Sequence, residues 1–453
     1  MTRQIKPPKT NTFFKTVCAL AIPVTLQSIL QSSFSIVDQI MIGQLGSVPV
    51  AGVGLAGKFA SIYSVIISSI GAVAGIMIAQ YMGQENRHEI GRSFRISLLL
   101  GCIIAGMFTF FCALLPIPIM SLYTKDYETL LSAAEYLMII AGTFLPLAGA
   151  ALLSTLFRCA EKPNLPLYAS LASAAANTLL NYILIFGKLG FEPMGAKGAA
   201  IATVISTWIN FLIMLIMLPK FSELISKPKE NNADTKPFPF RRYLSILLPI
   251  LACEVLWSLG ENVYAGIYGH MGTNACAAMT LLNPVQGIVI GALCGLSQAA
   301  AIIIGKKLGT GDFDDAYSSA KKLIWYGIAG SLTLSLLVVL CSPFYVKIYQ
   351  VEDSVKALTT QIMIAYALVA PYKVLNMIVG AGIIRSGGRT KYVMYIDMIG
   401  TWCFGVPLGL LAAFAWNLSI PYVYFILSLE ECIRFIISLF VLKSRKWMNS
   451  LKE

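Results

Sequence analysis

Charged residues are scarce in this sequence. They make up 12% of its 453 residues, whereas hydrophobic residues make up 57% and the mean hydropathy is +0.74. A soluble protein carries about 25% charged residues, and a soluble chain of this length would need polar surface for two or three domains. The shortage of charge therefore excludes the soluble and disordered classes, and it predicts an all-α protein that crosses a membrane many times.

Motifs for metals, nucleotides and catalysis are absent as well. The ten cysteines stand singly, with no CxxC pair, and the two histidines, His88 and His270, are isolated. Neither a zinc centre nor a disulfide framework is therefore predicted. No GxxxxGK[ST] motif marks an ATP-binding site. We expect no cofactor and no enzymatic activity.

Gly52-x-Gly54-x-x-Gly57 has the spacing of a dinucleotide-binding loop. Such a loop follows a β-strand, whereas these glycines lie inside a long apolar run. We interpret them instead as positions where helices pack closely, because small residues let two helix backbones approach.

Basic residues outnumber acidic ones by 34 to 22, which gives a net charge of +12. They stand in short groups between apolar runs, so the clustered basic face that nucleic acid needs is missing and no such partner is expected. Segments on the N-terminal side of the predicted membrane, with the adjoining helix ends, contain 27 of the 34 basic residues, and the opposite side contains five. Because cytoplasmic loops are the more basic ones, both termini are predicted to be cytoplasmic.

Apolar runs of about 20 residues or more, the length that crosses a bilayer, occur twelve times. The predicted spans are 14–42, 50–81, 93–115, 129–156, 166–187, 196–219, 243–269, 276–304, 320–341, 357–383, 392–415 and 420–442. The even number of spans agrees with two termini on one side of the membrane.

The one long polar stretch, residues 220–242, divides the chain into two halves of six spans. We predict that residues 14–219 form an N-terminal lobe and residues 243–442 a C-terminal lobe. Residues 1–13 and 443–453 are then cytoplasmic end segments, and residues 220–242 are a cytoplasmic linker.

An internal repeat supports this division. Two pairs of residues match at a shift of 226 and a third pair at a shift of 227: Pro23 and Pro249, Gly46 and Gly272, and Arg158 and Arg385. Repeats with an even number of spans enter the membrane from the same side, so we expect two six-helix bundles related by a pseudo-two-fold axis along the membrane normal. Transporters bind their substrates at such a repeat interface, so this architecture favours transport.

Polar side chains form a stripe on the first predicted span. Gln27, Gln31, Ser35 and Asp38 recur at intervals of 4, 4 and 3 residues, which places them on one helix face. A carboxylate inside a span is costly and usually faces a cavity or a partner. Asp38 is therefore a candidate functional acid, and the other three residues are candidates for lining a cavity.

The fifth and sixth spans carry neutral polar residues at helical spacing. They are Ser173, Asn177 and Asn181 in the fifth span, and Thr203, Thr207 and Asn210 in the sixth. One acid with several neutral oxygen donors suits a small hard cation, whereas a proton needs the acid alone. Hydrogen bonding between helices is the alternative role of these Asn and Thr residues.

The second half contains acids within its predicted spans as well. Glu254 and Glu261 share one face of the seventh span and are candidate functional acids, Glu254 near the middle of the span and Glu261 near its outer end. The acids of the later spans are expected to pair with Lys373 or Arg434 or to be hydrated; they are Asp397, Glu430 and Glu431.

Several segments carry a family resemblance. They are DQIMIGQLG at 38–46, RCAEKP at 158–163, GAKGAAIAT at 195–203, LP at 248–249 followed by Glu254, Trp257 and Gly260, and IRSGGRT at 384–390. Together these segments resemble the multidrug and toxic compound extrusion (MATE) family, and in particular its bacterial DinF-like branch. The resemblance extends over residues 14–445.

The resemblance implies an antiporter that exports drugs and organic cations by alternating access, driven by the entry of sodium ions or protons. In DinF-like members the coupling site uses a first-span aspartate, which corresponds to Asp38. The other site positions correspond to Tyr136, Asn177, Asn181 and Thr203, and sodium would be bound by Asp38, Asn177, Asn181 and Thr203. Position 181 is often aspartate in those members, so the asparagine here leaves a single carboxylate in the site.

The same resemblance implies the surroundings of the protein. Its partners would be small amphipathic or cationic drugs and the lipid bilayer, and it would lie in the bacterial inner membrane. Because one chain contains both repeats, we expect it to function as a monomer.

Two other functions are weighed against transport of drugs. A flippase for lipid-linked precursors of the same superfamily would need a strongly basic central cavity, whereas Lys58 and Lys373 are the intramembrane lysines here. An intramembrane enzyme would need paired aspartates or a histidine arrangement that the sequence lacks, and a receptor would show no gradient-dependent flux.

Overall fold

The structure is a computed structural model that describes residues 10–221, 240–347 and 352–451, without the side chains of residues 10–12, 35, 36, 47 and 273. The described chain consists of helices joined by short loops and contains no β-strand. The predicted all-α fold is therefore confirmed.

Six long helical segments form the first half of the chain. They are α1 (Thr10–Gly43), α2 (Ser47–Gly83), α3 (Arg87–Leu114), α4 (Tyr127–Cys159), α5 (Asn164–Phe186) and α6 (Gly195–Met217). A short helix, Pro116–Ser121, precedes α4, and α4 itself contains the 3-10 turn Ala141–Thr143. A 3-10 turn, Leu218–Phe221, follows α6.

Six further segments form the second half. They are α7 (Phe240–His270), α8 (Thr273–Thr310), α9 (Phe313–Lys347), α10 (Asp353–Asn376), α11 (Lys391–Ala415) and α12 (Ile420–Ser444). π-Helical turns extend α10 over Met377–Ile384 and interrupt α11 at Ile399–Gly405 and Leu411–Ala415. π-Helical turns are frequent at functional sites.

Eleven helices within the described residues are long and apolar enough to cross a membrane. The twelfth predicted span is α12, which is divided at Leu429 into Ile420–Ser428 and Glu430–Ser444. The second piece contains Glu430, Glu431 and Arg434, so its composition is less apolar than that of the other spans. Helix ends lie within seven residues of the predicted ones, because the helices continue beyond their apolar segments into polar residues.

Two compact units divide the described chain. The N-terminal unit comprises Leu26–Phe240, and the C-terminal unit begins at Arg241 and also includes α1 up to Thr25. The division therefore lies inside α1, shortly after Pro23. Most of the predicted linker, residues 222–239, lies outside the described residues.

The first part of α1 packs closely on α8 within the C-terminal unit. Thr25 Oγ1 donates a hydrogen bond to the carbonyl of Ala292 over 3.0 Å. A Cβ on Gly295 would overlap the carbonyl oxygen of Ala21. Glycine at 295 is therefore what allows the two helices to approach this closely.

The repeat found in the sequence also appears in the backbone. Gly46 and Gly272 stand directly before α2 and α8 with φ of 98° and 110°, values that favour glycine. The first residues of α3 and α9, Arg87 and Phe313, are separated by the same 226 residues. The two halves thus share helix starts and loop geometry.

Only one of the three glycines in the Gly52-x-Gly54-x-x-Gly57 motif packs closely. A Cβ on Gly52 of α2 would lie 2.7 Å from Ser132 Oγ of α4, but no described atom lies within 4 Å of a Cβ on Gly54 or Gly57. The packing interpretation is therefore correct for Gly52 and wrong for the other two, because those two face away from the neighbouring helices and are exposed.

Candidate ion-binding site

Glycines bring α4, α5 and α6 together in the N-terminal unit. A Cβ on Gly198 of α6 would lie 2.7 Å from the backbone carbonyl of Leu184 in α5. A Cβ on Gly149 of α4 would overlap the ring of Phe211 in α6. Since any larger residue would separate these helices, the glycines allow side chains on α5 and α6 to meet.

Asp38 of α1 is hydrogen-bonded to α5. The Nδ2 group of Asn181 donates to Asp38 Oδ1 and also to Asn177 Oδ1, the second bond measuring 3.1 Å. Asn177 Nδ2 donates in turn to Ser206 Oγ of α6 over 3.3 Å. Three helices are thus joined by one chain of polar side chains that begins at a carboxylate.

Tyr136 and Thr203 lie beside this chain. Tyr136 of α4 is 6% exposed, hydrogen-bonds with the side chain of Thr203 and interacts electrostatically with Asp38. The Thr203 hydroxyl donates to the carbonyl of Ala199 over 2.9 Å. Because a hydroxyl that donates to the backbone keeps free lone pairs, Thr203 can still present an oxygen to a ligand.

The five positions that the family resemblance implies therefore lie together: Asp38, Tyr136, Asn177, Asn181 and Thr203. Asp38 is the one acid among them, and the others offer amide or hydroxyl oxygens. Among the described residues, no group of three or more His, Cys, Asp or Glu side chains is arranged for a metal ion.

Asn181 has an unusual hydrogen-bonding state. It is 1% exposed, its amide nitrogen donates two hydrogen bonds, and its Oδ1 has no partner among the described residues. A buried acceptor without a partner is costly. Hard cations take carboxylate and amide oxygens as ligands. A small cation bound at Asn181 Oδ1 would satisfy this oxygen, and the oxygens of the cluster are of the kind that such an ion takes.

The remaining residues of the α1 stripe differ in their surroundings. Gln27 is 8% exposed, and its Oε1 accepts a 2.8 Å hydrogen bond from Arg158. Gln31 is exposed, and the side chain of Ser35 lies outside the described residues. Gln27 therefore holds the end of α4 against α1.

The candidate acids of α7 lie in two different environments. Glu254 pairs with Arg385 NH1 at 3.3 Å, and Arg385 NH2 also donates to Cys253 Sγ over 3.1 Å. Glu261 is exposed and lines a cavity of about 290 Å³ within the C-terminal unit. Glu254 thus has a basic partner, whereas Glu261 faces the cavity.

Arg434 is the common partner of the late acids. Its guanidinium pairs with Asp397, lies 3.4 Å from Glu431 Oε1 and lies 4.0 Å from Glu430 Oε1. Arg434 is 8% exposed and the two glutamates are 5–6% exposed, whereas Asp397 is half-buried. Pairing with Lys373 or Arg434, or hydration, was expected for Asp397, Glu430 and Glu431, and the structure shows ion pairing with Arg434.

The architecture has counterparts in known proteins. A family model described as MatE matches residues 23–183 and again residues 249–411. The two matches begin 226 residues apart, the offset of the internal repeat, and together they cover well over half of the chain. The chain belongs to the MATE family.

MATE relatives match almost the whole chain. The uncharacterised transporter YisQ of Bacillus subtilis is 22% identical, over 98% of this chain and 97% of its own length. The probable multidrug resistance protein NorM of Neisseria meningitidis serogroup B is 26% identical, over 88% and 87%. These relatives are bacterial, and the chain is a multi-pass membrane transporter of their family.

Solved MATE structures share the fold. The Vibrio cholerae MATE transporter VcmN in its bent form aligns with a TM-score of 0.85 at 17% identity, over 97% of this chain and 99% of that one. An outward-facing multidrug resistance MATE family transporter aligns with the same score, identity and coverage. At this level of identity the likeness concerns the fold alone.

Sequence reasoning missed one residue of this polar cluster, Ser206. It is 4% exposed, accepts from Asn177 and donates to the carbonyl of Thr203 over 3.0 Å. Its position three residues after Thr203 places it on the same face of α6, so helical spacing would have found it. Ser206 also links to α5 through its carbonyl, which accepts a 2.6 Å bond from Ser173 Oγ.

Proposed function

We propose that this MATE protein is an antiporter that exports organic cations and other amphipathic compounds, driven by sodium entry at Asp38. The observation that carries the proposal is the buried cluster of one carboxylate with amide and hydroxyl oxygens, in which Asn181 Oδ1 lacks a partner. A proton would need Asp38 alone, whereas a sodium ion also uses the free oxygen of Asn181. The multidrug resistance names of several relatives support the class of cargo.

Coupling follows from differential binding. A ligand shifts a conformational equilibrium only by the difference in its affinity for the two states. Sodium at Asp38 would favour the state that releases cargo outside, and its departure inside would favour the return. An inward-negative potential adds about 2.3 kcal/mol for each net charge moved through 100 mV.

The location is part of the proposal. The excess of basic residues on the N-terminal side, 27 against five, supports cytoplasmic termini by the positive-inside rule. The relatives are bacterial, which supports the inner membrane. One chain contains both repeats, so a monomer suffices for transport.

The test is efflux of a fluorescent organic cation from proteoliposomes that contain the purified full chain. A sodium gradient and a pH gradient are imposed separately, for the wild type and for Asp38→Asn. We expect flux to follow the sodium gradient and to fall to the protein-free level in Asp38→Asn, because the amide keeps the shape but loses the charge. Flux that follows only the pH gradient would make the proton the coupling ion.

Glu135→Gln is the matched control. Glu135 adjoins Tyr136 on α4, is 41% exposed and pairs with Lys197 at 2.5 Å, so the substitution removes one carboxylate charge outside the site. Flux should be retained. If Asp38→Asn exported as well as Glu135→Gln under the same sodium gradient, the coupling role of Asp38 would be wrong.

The variant Asn181→Asp further tests whether the coupling ion is sodium or a proton. It removes the amide that donates to Asp38 and to Asn177 and places a second carboxylate against Asp38. Like charges in contact disfavour double ionisation, so the pair would hold a proton. We expect sodium-driven flux to become sensitive to pH in this variant, measured over a pH series at fixed sodium gradient.

A lipid-linked precursor flippase remains the alternative function. It would need basic side chains for a pyrophosphate, but Lys373 shares its cavity with Glu261, Glu430 and Glu431. Absence of flux under either gradient, with folded protein, would favour the flippase.

A further inference from the structure

A basic pocket lies at one end of the C-terminal unit and shares no lining residue with the Asp38 cluster or with the acidic cavity. Its volume is about 440 Å³. Its wall consists of the start of α7, the loop before α11 with the first turns of that helix, and the C-terminal residues Asn449 and Leu451. The predicted spans of α7 and α11 begin at residues 243 and 392. The pocket therefore lies where two apolar segments end and the lipid headgroups begin.

The charged side chains of this pocket are all basic. Arg242, Arg389 and Lys391 line it, and no aspartate or glutamate does. Arg389 and Lys391 are exposed, and no described residue is hydrogen-bonded or ion-paired to either side chain. Their charges are therefore available to an anion that enters the pocket.

Arg242 holds the C-terminal segment at the edge of the pocket. Its guanidinium donates to the carbonyl of Leu451 over 3.3 Å and to that of Ser450 over 3.5 Å. A guanidinium carries more N–H donors than these two bonds use, so Arg242 can also donate to a ligand. Leu451 is 2% exposed. One wall of the pocket is thus a segment of chain that is packed against the unit.

The other contacts fix the walls to one another. A Cβ on Gly387 would overlap the carbonyl oxygen of Trp447, which is fully buried and donates through Nε1 to the carbonyl of Leu442 over 3.1 Å. Thr390 Oγ1 donates to the carbonyl of Ile246 over 3.0 Å and so joins the start of α11 to α7. The pocket is therefore preorganised, which lowers the cost of binding.

Two further features of α11 suit an anion that belongs to a lipid. No side-chain hydrogen bond from Thr390 caps the helix, and the first N–H groups of an uncapped helix favour negative charge. Tyr395, one turn into α11, lines the pocket and is 49% exposed. Tyrosines at the membrane–water interface lie at the level of the headgroups.

The first repeat does not have the same charges at the corresponding positions. At the shift of 227 that aligns Arg158 with Arg385, Gly388 corresponds to Glu161 and Lys391 corresponds to Asn164. The second repeat thus has no acid at the first of these positions and a cation at the second. The basic pocket is therefore a feature of the second repeat and not of the shared helix plan.

We propose that this pocket binds a phosphate group, with Arg389 and Lys391 as counter-charges and Arg242 as a further donor, and that the phosphate belongs to an anionic phospholipid. Basic pockets beside membrane-spanning helices recognise such headgroups. Free phosphate has the same chemistry but lacks the acyl chains that would hold a lipid beside Tyr395. The inference goes beyond the proposed export of organic cations and does not depend on the coupling ion.

The first experiment compares two lipids that differ only in their headgroup. Phosphatidylglycerol and phosphatidylcholine with the same acyl chains are offered in equal amounts to the purified full chain in detergent, and bound lipid is counted by native mass spectrometry. We expect the wild type to prefer phosphatidylglycerol about tenfold for its first bound lipid. The double variant Arg389→Gln/Lys391→Gln should reduce this preference to about twofold or less, because both counter-charges are lost.

The double variant Lys443→Gln/Lys446→Gln is the matched control. Both lysines are exposed and precede the same C-terminal segment, but neither lines the pocket. The control loses the same charge as Arg389→Gln/Lys391→Gln and should keep the preference of the wild type. Thermal unfolding in phosphatidylcholine checks that both double variants are folded.

A second pair of variants changes the charge of the pocket at one position. Gly388→Glu introduces the residue that the first repeat has there, and Gly388→Gln is its neutral counterpart. Both variants have the same backbone strain, since Gly388 has a φ of 73°, and Glu161 adopts a φ of 61° in the first repeat. A Cβ on Gly388 would lie 3.8 Å from Ile246 Cδ1, an ordinary contact. Only Gly388→Glu should lose the preference for phosphatidylglycerol.

Inorganic phosphate distinguishes a lipid from a free anion as the source of the phosphate group. It is titrated against the lipid-free full chain in a non-ionic detergent by isothermal calorimetry. We expect no saturable binding, because the acyl chains that hold a lipid at the pocket are missing. Saturable binding that Arg389→Gln/Lys391→Gln abolishes would support the phosphate pocket and overturn its assignment to a phospholipid.

Two results would overturn the pocket itself. One is a wild type that binds the two lipids equally and binds no inorganic phosphate. The other is a preference for phosphatidylglycerol that is as large in Arg389→Gln/Lys391→Gln as in the lysine control, because the preference would then come from the general positive charge of the protein.

Discussion

The two repeats keep the same backbone plan but carry different chemistry. Asp38 is the one carboxylate of the cluster in the N-terminal unit, where amides and hydroxyls surround it. The corresponding region of the C-terminal unit contains several acids, Lys373 and Arg434. The two repeats thus kept the same arrangement of helices, while their polar side chains diverged.

The same divergence occurs in one pair of side chains. In each repeat this pair joins the first helix to the end of the fourth helix. Gln27 accepts from Arg158 over 2.8 Å, whereas Glu254 pairs with Arg385 at 3.3 Å. Within each pair the two residues are 131 positions apart in the sequence. The arginine is kept and its partner changes from a neutral amide to a carboxylate, so at this position the N-terminal unit carries less charge.

The largest expected effect is the loss of stability on removing Arg434, the cation that pairs with the late acids of the C-terminal unit. Arg434→Met leaves the buried Glu431 and the half-buried Asp397 without their guanidinium partner. Removing one partner of a buried ion pair costs about 3–5 kcal/mol. We expect a loss of stability of this size, measured by unfolding of the purified chain in detergent.

Two variants calibrate the Arg434 result. Arg445→Met removes an exposed arginine that pairs with Asp314 at 2.7 Å, and an exposed pair contributes about 1 kcal/mol or less. Thr207 is the counterpart of Arg434 at a shift of 227. Among the described residues its hydroxyl bonds only within its own helix, to the carbonyl of Thr203. Thr207→Ala should therefore cost far less than Arg434→Met, and equal costs would contradict the contrast between the units.

Sequence alone predicted the helices well because each span is a long apolar run bounded by polar residues. It also found Asp38, Asn177 and Asn181, since helical spacing places such residues on one face. What it could not give was the partner of Glu254. Glu254 and Arg385 are 131 residues apart, and only the packing of α7 against the end of α10 reveals that the acid has a basic partner.

The close packing of helices was predicted less well than their positions. A glycine in an apolar helix can face a neighbouring helix or lipid, and composition does not distinguish the two. Gly52 contacts Ser132 of α4, whereas Gly57 of the same motif is exposed. Likewise, α12 is interrupted at Leu429, but no proline or glycine stands there in the sequence to predict the interruption.

Gly52 provides the second test of the comparison. Its counterpart at a shift of 226 is Ala278, which is 0% exposed, so the second repeat accommodates the methyl group that the first excludes. Gly52→Ala should cost about 1–3 kcal/mol through overpacking against Ser132. Gly57→Ala, the control on the same helix, should stabilise by up to about 1 kcal/mol, because alanine favours helix over glycine. Unfolding curves that rank these two variants in the opposite order would contradict the packing described for α2.

The loops before α3 and α9 provide the third test. Glu85 and Gly311 are counterparts at a shift of 226, and both have positive φ, 55° and 85°. A residue with a side chain pays about 1 kcal/mol or more in this conformation. We therefore expect Glu85→Gly to stabilise the protein and Gly311→Ala to destabilise it, each by about 1 kcal/mol. Thermal unfolding of the two single variants and the double variant measures both effects, and the double variant should lie near the wild type if the loops behave independently.

The smallest expected effect concerns the caps of the same two helices. Asn86 Oδ1 accepts from the backbone N–H of Glu89 over 3.2 Å, and its counterpart Asp312 accepts from that of Asp315 over 3.0 Å. Asparagine and aspartate are about equally good N-caps, so Asn86→Asp and Asp312→Asn should each change stability by only a few tenths of a kcal/mol. Asp312→Ala removes the acceptor and should cost about 1 kcal/mol. If Asp312→Asn lost as much stability as Asp312→Ala, the charge of Asp312, and not its role as a cap, would stabilise the start of α9. The two repeats would then differ in the electrostatics of these loops as well as in their polar cores.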